Sequence, residues 1–126
     1  MRNFGQGKGP GNPHGVPGGR GRGRFRSRLM EPVILLALKK QPAHGYTLLA
    51  ELENFGLGNL DPSMLYRLLR DMEARELVTS AWDEEQSQGP PRRTYQITPQ
   101  GESTCELWQQ HLTHQRDMLQ AILDTF

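Results

Sequence analysis

Cysteine is nearly missing from this 126-residue sequence, where Cys105 stands alone. No intrachain disulfide can form, so a hydrophobic core must hold the fold, and a reducing, cytoplasmic compartment is expected. Long apolar runs are missing too. The longest, Val33 to Leu38, is closed at once by Lys39 and Lys40 and falls far short of the ~20 residues a membrane span needs. No apolar stretch with a small-residue cleavage site follows the N-terminal basic residues, so no secretory leader is expected. The chain also lacks a paired acid and base, a nucleophile beside a base, a phosphate-binding loop and a metal-ligand set, so neither an enzyme nor a cofactor is expected. His111 and His114, three apart and near Cys105, have no third matched ligand and are read as surface histidines.

Acidic residues are absent from one region only. Residues 1–28 hold Arg2, Lys8, Arg20, Arg22, Arg24, Arg26 and Arg28 with no Asp or Glu, a charge of +7. The remainder has eight basic against fourteen acidic side chains, a charge of −6, and the two sum to the formal +1 of the whole. Such division points to a basic arm on a folded body, as in proteins that meet nucleic acid. Nine of the fourteen glycines and three prolines lie in the same 28 residues. Ordering so much glycine is entropically costly and little apolar surface is present to compensate, so this arm is expected to be disordered when free.

From Leu29 the text turns apolar. Met30, Val33, Ile34, Ala37 and Leu38 recur at helical spacing, with Pro32 where a first turn tolerates it, which predicts a helix of roughly 10 residues. Leu35 and Leu36 fall off that stripe and are assigned to a partner-subunit contact. A second helix runs through Tyr46, Leu48, Leu49, Leu52 and Phe55 and is stopped by Gly56 and Gly58. A third opens at Asp61-Pro62, an N-cap acceptor followed by proline, and extends to about Arg75.

The third helix has two faces. Leu65, Leu68, Leu69 and Met72 form a core stripe, and Ser63, Tyr66, Arg67 and Arg70 form a polar, aromatic, cationic face suited to a groove of DNA. Two β-prone segments, 77–82 and 92–98, flank a polar loop with Gly89-Pro90-Pro91 and predict an antiparallel hairpin. Three helices and a hairpin make a winged helix-turn-helix, so the fold class is mainly α with a small β-hairpin. Thr98-Pro99 opens a last helix of about 27 residues, roughly 40 Å long. Along it Cys105, Trp108, Leu112, Gln115, Leu119, Ile122 and Phe126 follow a heptad seam, widened by Leu107, Met118 and Leu123. The domains are thus 1–28, a basic arm; 29–98, the winged helix-turn-helix; and 99–126, a helix for homodimerisation.

Several motifs, namely Pro42-Ala-His-Gly-Tyr46, Leu65-Tyr-Arg-Leu-Leu69, Leu77-Val78, Trp82, Arg92-Arg-Thr-Tyr95 and Ile97-Thr-Pro-Gln-Gly101, resemble those of the PadR family of bacterial transcriptional regulators. The resemblance covers about residues 30–110 and holds in order and spacing. It implies a winged helix-turn-helix that dimerises through a C-terminal helix and represses genes of stress, detoxification or efflux. Members with a single short C-terminal helix are the most similar. The family has glycine before the first hairpin strand, where this chain has Glu76, so Glu76 is expected in a left-handed conformation that costs of order 1–2 kcal/mol.

The candidate DNA contacts are Ser63, Met64, Tyr66, Arg67 and Arg70 on the third helix, Arg92 and Arg93 at the base of the wing, and Arg24, Arg26 and Arg28 of the arm. The acidic tip, Asp83-Glu84-Glu85, is expected to stay off phosphate. The expected dimer contacts are Leu35, Leu36, Cys105, Trp108, Leu112, Leu119, Ile122 and Phe126. Trp108, Leu112 and Met118 are candidates for a pocket taking a small aromatic or cationic effector; the competing reading is plain dimer packing. The leading function is a sequence-specific regulator of double-stranded DNA, a repressor on a near-palindromic operator. Two alternatives stand beside it: an RNA or non-specific nucleic-acid binder acting through the Gly/Arg arm, and a small-molecule sensor without DNA contact.

Overall fold

Two side chains start the two longest-range decisions of the fold. The Asp61 carboxylate accepts the Ser63 backbone N–H at 3.0 Å with Pro62 in the first turn, and the Thr98 hydroxyl accepts the Gly101 N–H at 2.9 Å with Pro99 behind it. Each supplies an acceptor to a helix end whose first N–H groups have no intrahelical partner. The Ser63 hydrogen bonds hold the Asp61 carboxyl below the usual carboxylate range.

The computed structural model describes residues 19–57, 61–83 and 92–126, with side chains from residue 27 onward. In chain order the elements are α1 (Gly19–Lys40), β1 (Ala43–His44), α2 (Gly45–Asn54), α3 (Pro62–Ala74), β2 (Val78–Trp82), β3 (Arg93–Ile97) and α4 (Pro99–Thr125). The sheet is antiparallel in the order β1-β3-β2, with Ala43 opposite Tyr95 and Ser80 opposite the same Tyr95 from the other side. Met30, Ile34 and Leu35 of α1, Leu48 and Leu52 of α2, Leu65, Leu69 and Met72 of α3, Val78 and Cys105 make one continuous core. The winged helix-turn-helix with a long terminal helix is therefore the architecture.

Both inner helices end in the same way. After α2, Gly56 adopts φ 80°, its N–H reaches the Glu53 carbonyl, and the Leu57 N–H reaches the Leu52 carbonyl. After α3, Glu76 adopts φ 65°, its N–H reaches the Glu73 carbonyl, and the Leu77 N–H reaches the Met72 carbonyl. These are Schellman caps, in which the left-handed residue turns the chain and the next apolar residue folds back on the helix. Leu57 and Leu77 are both buried. The expected left-handed Glu76 is thus present, and the Thr98 hydroxyl braces it by donating to the Glu76 carbonyl at 2.7 Å.

Three expectations are corrected. Helix α1 starts at Gly19 rather than near Leu29, so Pro32 lies inside it, where Arg28 loses the hydrogen bond that a residue-32 N–H would give. Once the buried Met30–Leu38 stretch is helical, each added residue contributes a hydrogen bond without a new nucleation cost, which carries the helix into poor helix formers. Within the arm, residues 1–18 lie outside the described residues, as do the wing tip from residue 84 to 91 and Gly58. Leu35 is 0% exposed, and Cys105 is buried as well. Both belong to the core of their own subunit and not to a partner contact, because both pack into its one continuous apolar cluster. Strand β1, two residues long, was not expected.

Candidate nucleic-acid interface

The core stripe of α3 turns Leu65, Leu69 and Met72 inward, and the helical period then leaves Ser63, Tyr66, Arg67 and Arg70 on the outside, all exposed. Met64 is half-buried between the two faces. The candidate residues of the helix are thus brought together on one surface, with Arg67 near enough to Asp61 to favour its charged form.

Tyr66 is held in place by an absence. A Cβ added to Gly45, the first residue of α2, would fall 2.5 Å from Tyr66 Oη and 2.7 Å from Cε1. The Tyr66 ring therefore lies on bare backbone, and only glycine leaves room for it. This accounts for the glycine of His-Gly-Tyr at 44–46, whose role as a seat for Tyr66 no local sequence signal discloses.

Arg92 and Arg93 do not act as one pair, because strand alternation sends them to opposite faces of the hairpin. Arg92 Nη1 donates to Tyr46 Oη at 2.9 Å, and its guanidinium lies over the Tyr46 ring at 5.3 Å. Tyr46 in turn stacks on His44, whose Nε2 sits 3.4 Å from Asp83 Oδ2. Arg93 Nη1 donates to Ser80 Oγ at 2.8 Å, and its guanidinium stacks over Trp82 at 4.6 Å. Ser80 also donates to the Glu73 carboxylate of α3. Trp82 is the cross-strand neighbour of Arg93, so hairpin register alone identifies this cation–π pair.

The two basic groups of α3 and the wing meet around Tyr95. Burial pushes its phenol up, while Arg93 and, more weakly, Arg70 act against that rise. Arg70 of α3 and Arg93 of β3 thus both lie near Tyr95, and the rings of Tyr66 and Trp82 are exposed. Cationic groups can neutralise phosphate, and arginine can pair with a guanine edge in the major groove. Arg28 of α1 is exposed; the side chains of Arg24 and Arg26 lie outside those described.

Along α4, Trp108, Leu112 and Gln115 are half-buried, whereas Met118, Leu119, Ile122, Leu123 and Phe126 are exposed, Phe126 at 99%. Leu36 of α1 is exposed too. The expected effector residues do not converge within the subunit: Met118 stands ten residues beyond Trp108, about 15 Å along the axis. Trp108 meets His111 edge-on at 5.6 Å, and its indole N–H donates to Glu31. Burial pushes the Cys105 thiol up. Among the described residues no cluster of three or more His, Cys, Asp or Glu forms a metal site, and no helix is long and apolar enough to cross a membrane.

Residues 34–107 match the transcriptional regulator PadR-like family. No curated protein sequence matches the chain. Among solved structures, a PadR family transcription regulator from hypervirulent Clostridium difficile is 26% identical with a TM-score of 0.65, covering 75% of this chain and 97% of its own. A PadR-like transcription factor from Bacteroides fragilis is 28% identical with a TM-score of 0.66, covering 80% and 96%. A PadR-like transcriptional regulator from Bacillus cereus shares the fold at a TM-score of 0.70 and 24% identity, covering 79% and 96%. The chain belongs to the PadR-like family of DNA-binding transcriptional regulators.

Proposed function

We propose that the protein is a homodimeric, cytoplasmic repressor that reads a near-palindromic operator in double-stranded DNA. The observation that carries the reading is the exposed Ser63–Tyr66–Arg67–Arg70 face of α3, flanked by the Arg93–Trp82 pair of the hairpin. Arg67 and Tyr66 reach base edges in the major groove, and Ser63 and Met64 line the entering end of the helix. Arg70, Arg92 and Arg93 meet phosphate, which positions the helix without specifying sequence. Arg24, Arg26 and Arg28 add charge from the N-terminal side, three of the seven cations with which residues 1–28 offset the −6 of the rest of the chain.

The dimer is supported by the apolar, exposed end of α4. Leu119, Ile122 and Phe126 continue a 3-4 spacing that this subunit leaves uncovered, and a second copy covers it by knobs-into-holes packing. Such a dimer sets two α3 helices about 34–36 Å apart, one turn of DNA. An aromatic or cationic effector entering the α4 contact beside Leu112 and Met118 releases DNA by changing that spacing. Footprinting of the purified protein on its own promoter tests the reading: two protected half-sites one turn apart are expected, and a preference for single-stranded RNA over every duplex offered rejects it.

A further inference from the structure

One carboxylate joins three helices away from the DNA-facing surface. Glu31 of α1 is only 15% exposed at its side chain. Its Oε1 accepts Arg75 Nη2 at 2.6 Å, and its Oε2 accepts the Trp108 indole N–H at 2.9 Å. Arg75 is the C-cap residue of α3, and Trp108 lies in the second turn of α4 beyond Gly101. Each oxygen is therefore committed to a different helix.

Arg75 has a second partner on its own helix. Its Nε donates to Asp71 Oδ2 at 3.0 Å, and its carbonyl accepts from Gln100 of α4 at 3.4 Å. The guanidinium holds Asp71 and Glu31 together, so it would keep one partner if the bond to Glu31 were lost. A displacement of α4 that moves the indole must either break its bond to Glu31, leaving a mostly buried acceptor unmet, or carry Glu31 along and pull on Arg75. Both bonds to the Glu31 carboxylate are charge-assisted, and the cost of leaving a mostly buried acceptor unmet favours the second outcome.

We propose that Glu31 is a positioning residue that transmits the placement of α4 to the DNA-facing helix α3. The inference rests on the reading that α3 meets DNA. It assigns Glu31 no DNA contact; the carboxylate acts through Arg75 at the far end of the helix from Ser63 and Asp61. Loss of this link leaves the Tyr66–Arg67 surface chemically intact and changes only its orientation.

Thermodynamic linkage makes the coupling reciprocal, so operator bound at α3 must be felt at Trp108. The test uses the full chain labelled with 5-fluorotryptophan, with the Trp108 resonance assigned by its loss in Trp108→Phe. Operator duplex is expected to shift that resonance in the wild type and to leave it unmoved in Glu31→Gln. Operator affinity is expected to fall about five- to tenfold in Glu31→Gln and in Trp108→Phe, with the double variant no weaker than the weaker single, as for residues acting through one link. A Trp108 resonance that ignores operator in the wild type overturns the proposal, a measurement that needs no variant to fold. Fully multiplicative losses in the double variant overturn it as well. Arg67→Ala serves as the separating control: its unaltered operator binding overturns the α3 reading, whereas its loss of binding together with independent Glu31 and Trp108 effects overturns this inference alone.

Discussion

The ring of Tyr66 rests on the Cα of Gly45, so closely that a methyl group there would come within 2.5 Å of its hydroxyl. Helix α2 thereby sets the direction in which α3 presents its aromatic side chain.

Gly45→Ala is expected to separate folding from binding. Because Tyr66 is 41% exposed, its ring can swing away from the new methyl, and stability falls by only about 1 kcal/mol, the low end for overpacking. Operator affinity should fall about tenfold, because the ring then leaves its position beside Arg67; tenfold corresponds to about 1.4 kcal/mol. Urea denaturation and fluorescence anisotropy on the same preparations check both halves. Unaltered affinity would show that the Tyr66 seat has no part in recognition.

Glu76 is the one described non-glycine residue with positive φ. Its turn is kept by Thr98 and by the Schellman hydrogen bonds, so glycine at this position relieves strain without losing a side-chain contact that holds the turn. Glu76→Gly should raise stability by about 1 kcal/mol with no effect on DNA affinity. A lower thermal midpoint would contradict the strain argument.

The capped helices were legible because each depends on neighbours in sequence, Asp61 with Ser63 and Thr98 with Gly101, the hairpin because its two β-prone segments flank a turn, and the left-handed Glu76 because the resembled family has glycine there. Features set by distant packing were not. Leu35 read as surplus to a helical stripe, but it is buried in the core of its own subunit, and only the tertiary arrangement reveals it. The heptad seam of α4 is continuous as text yet divided in space, its first half docked on the body at Cys105 and Trp108 and its second half uncovered. Strand β1 is two residues of edge pairing with β3 and leaves no periodic trace. The Glu31 bridge spans 77 residues of sequence to reach Trp108, a separation at which no pattern relates them.

The uncovered half of α4 has its own consequence. Ile122→Lys places a charge in the apolar end proposed for the partner contact, and sedimentation velocity should record a change from dimer to monomer. The unfolding of the isolated subunit body should be nearly unaffected, since Ile122 is exposed within it. A variant that sediments as the wild-type dimer would move the partner contact elsewhere.

Removing residues 1–28 takes away seven cations per subunit. If all seven meet phosphate, the log–log salt slope of DNA affinity should flatten by at most about 6 per subunit, at ~0.9 per phosphate. Specific binding should persist at low salt and weaken at physiological salt. An identical slope in the truncated protein would assign the arm some role other than phosphate neutralisation.

The central claim is that the exposed face of α3 reads base sequence, and Arg67→Ala tests it most directly. Binding of wild type and variant should be measured by anisotropy against the footprinted operator and a panel of single-base-pair substitutions at fixed salt. The account predicts a loss of about 1–3 kcal/mol on the operator and relaxed discrimination at one position of each half-site. An Arg67→Ala protein that binds the operator as tightly as wild type, with the same preference at every position, would contradict it.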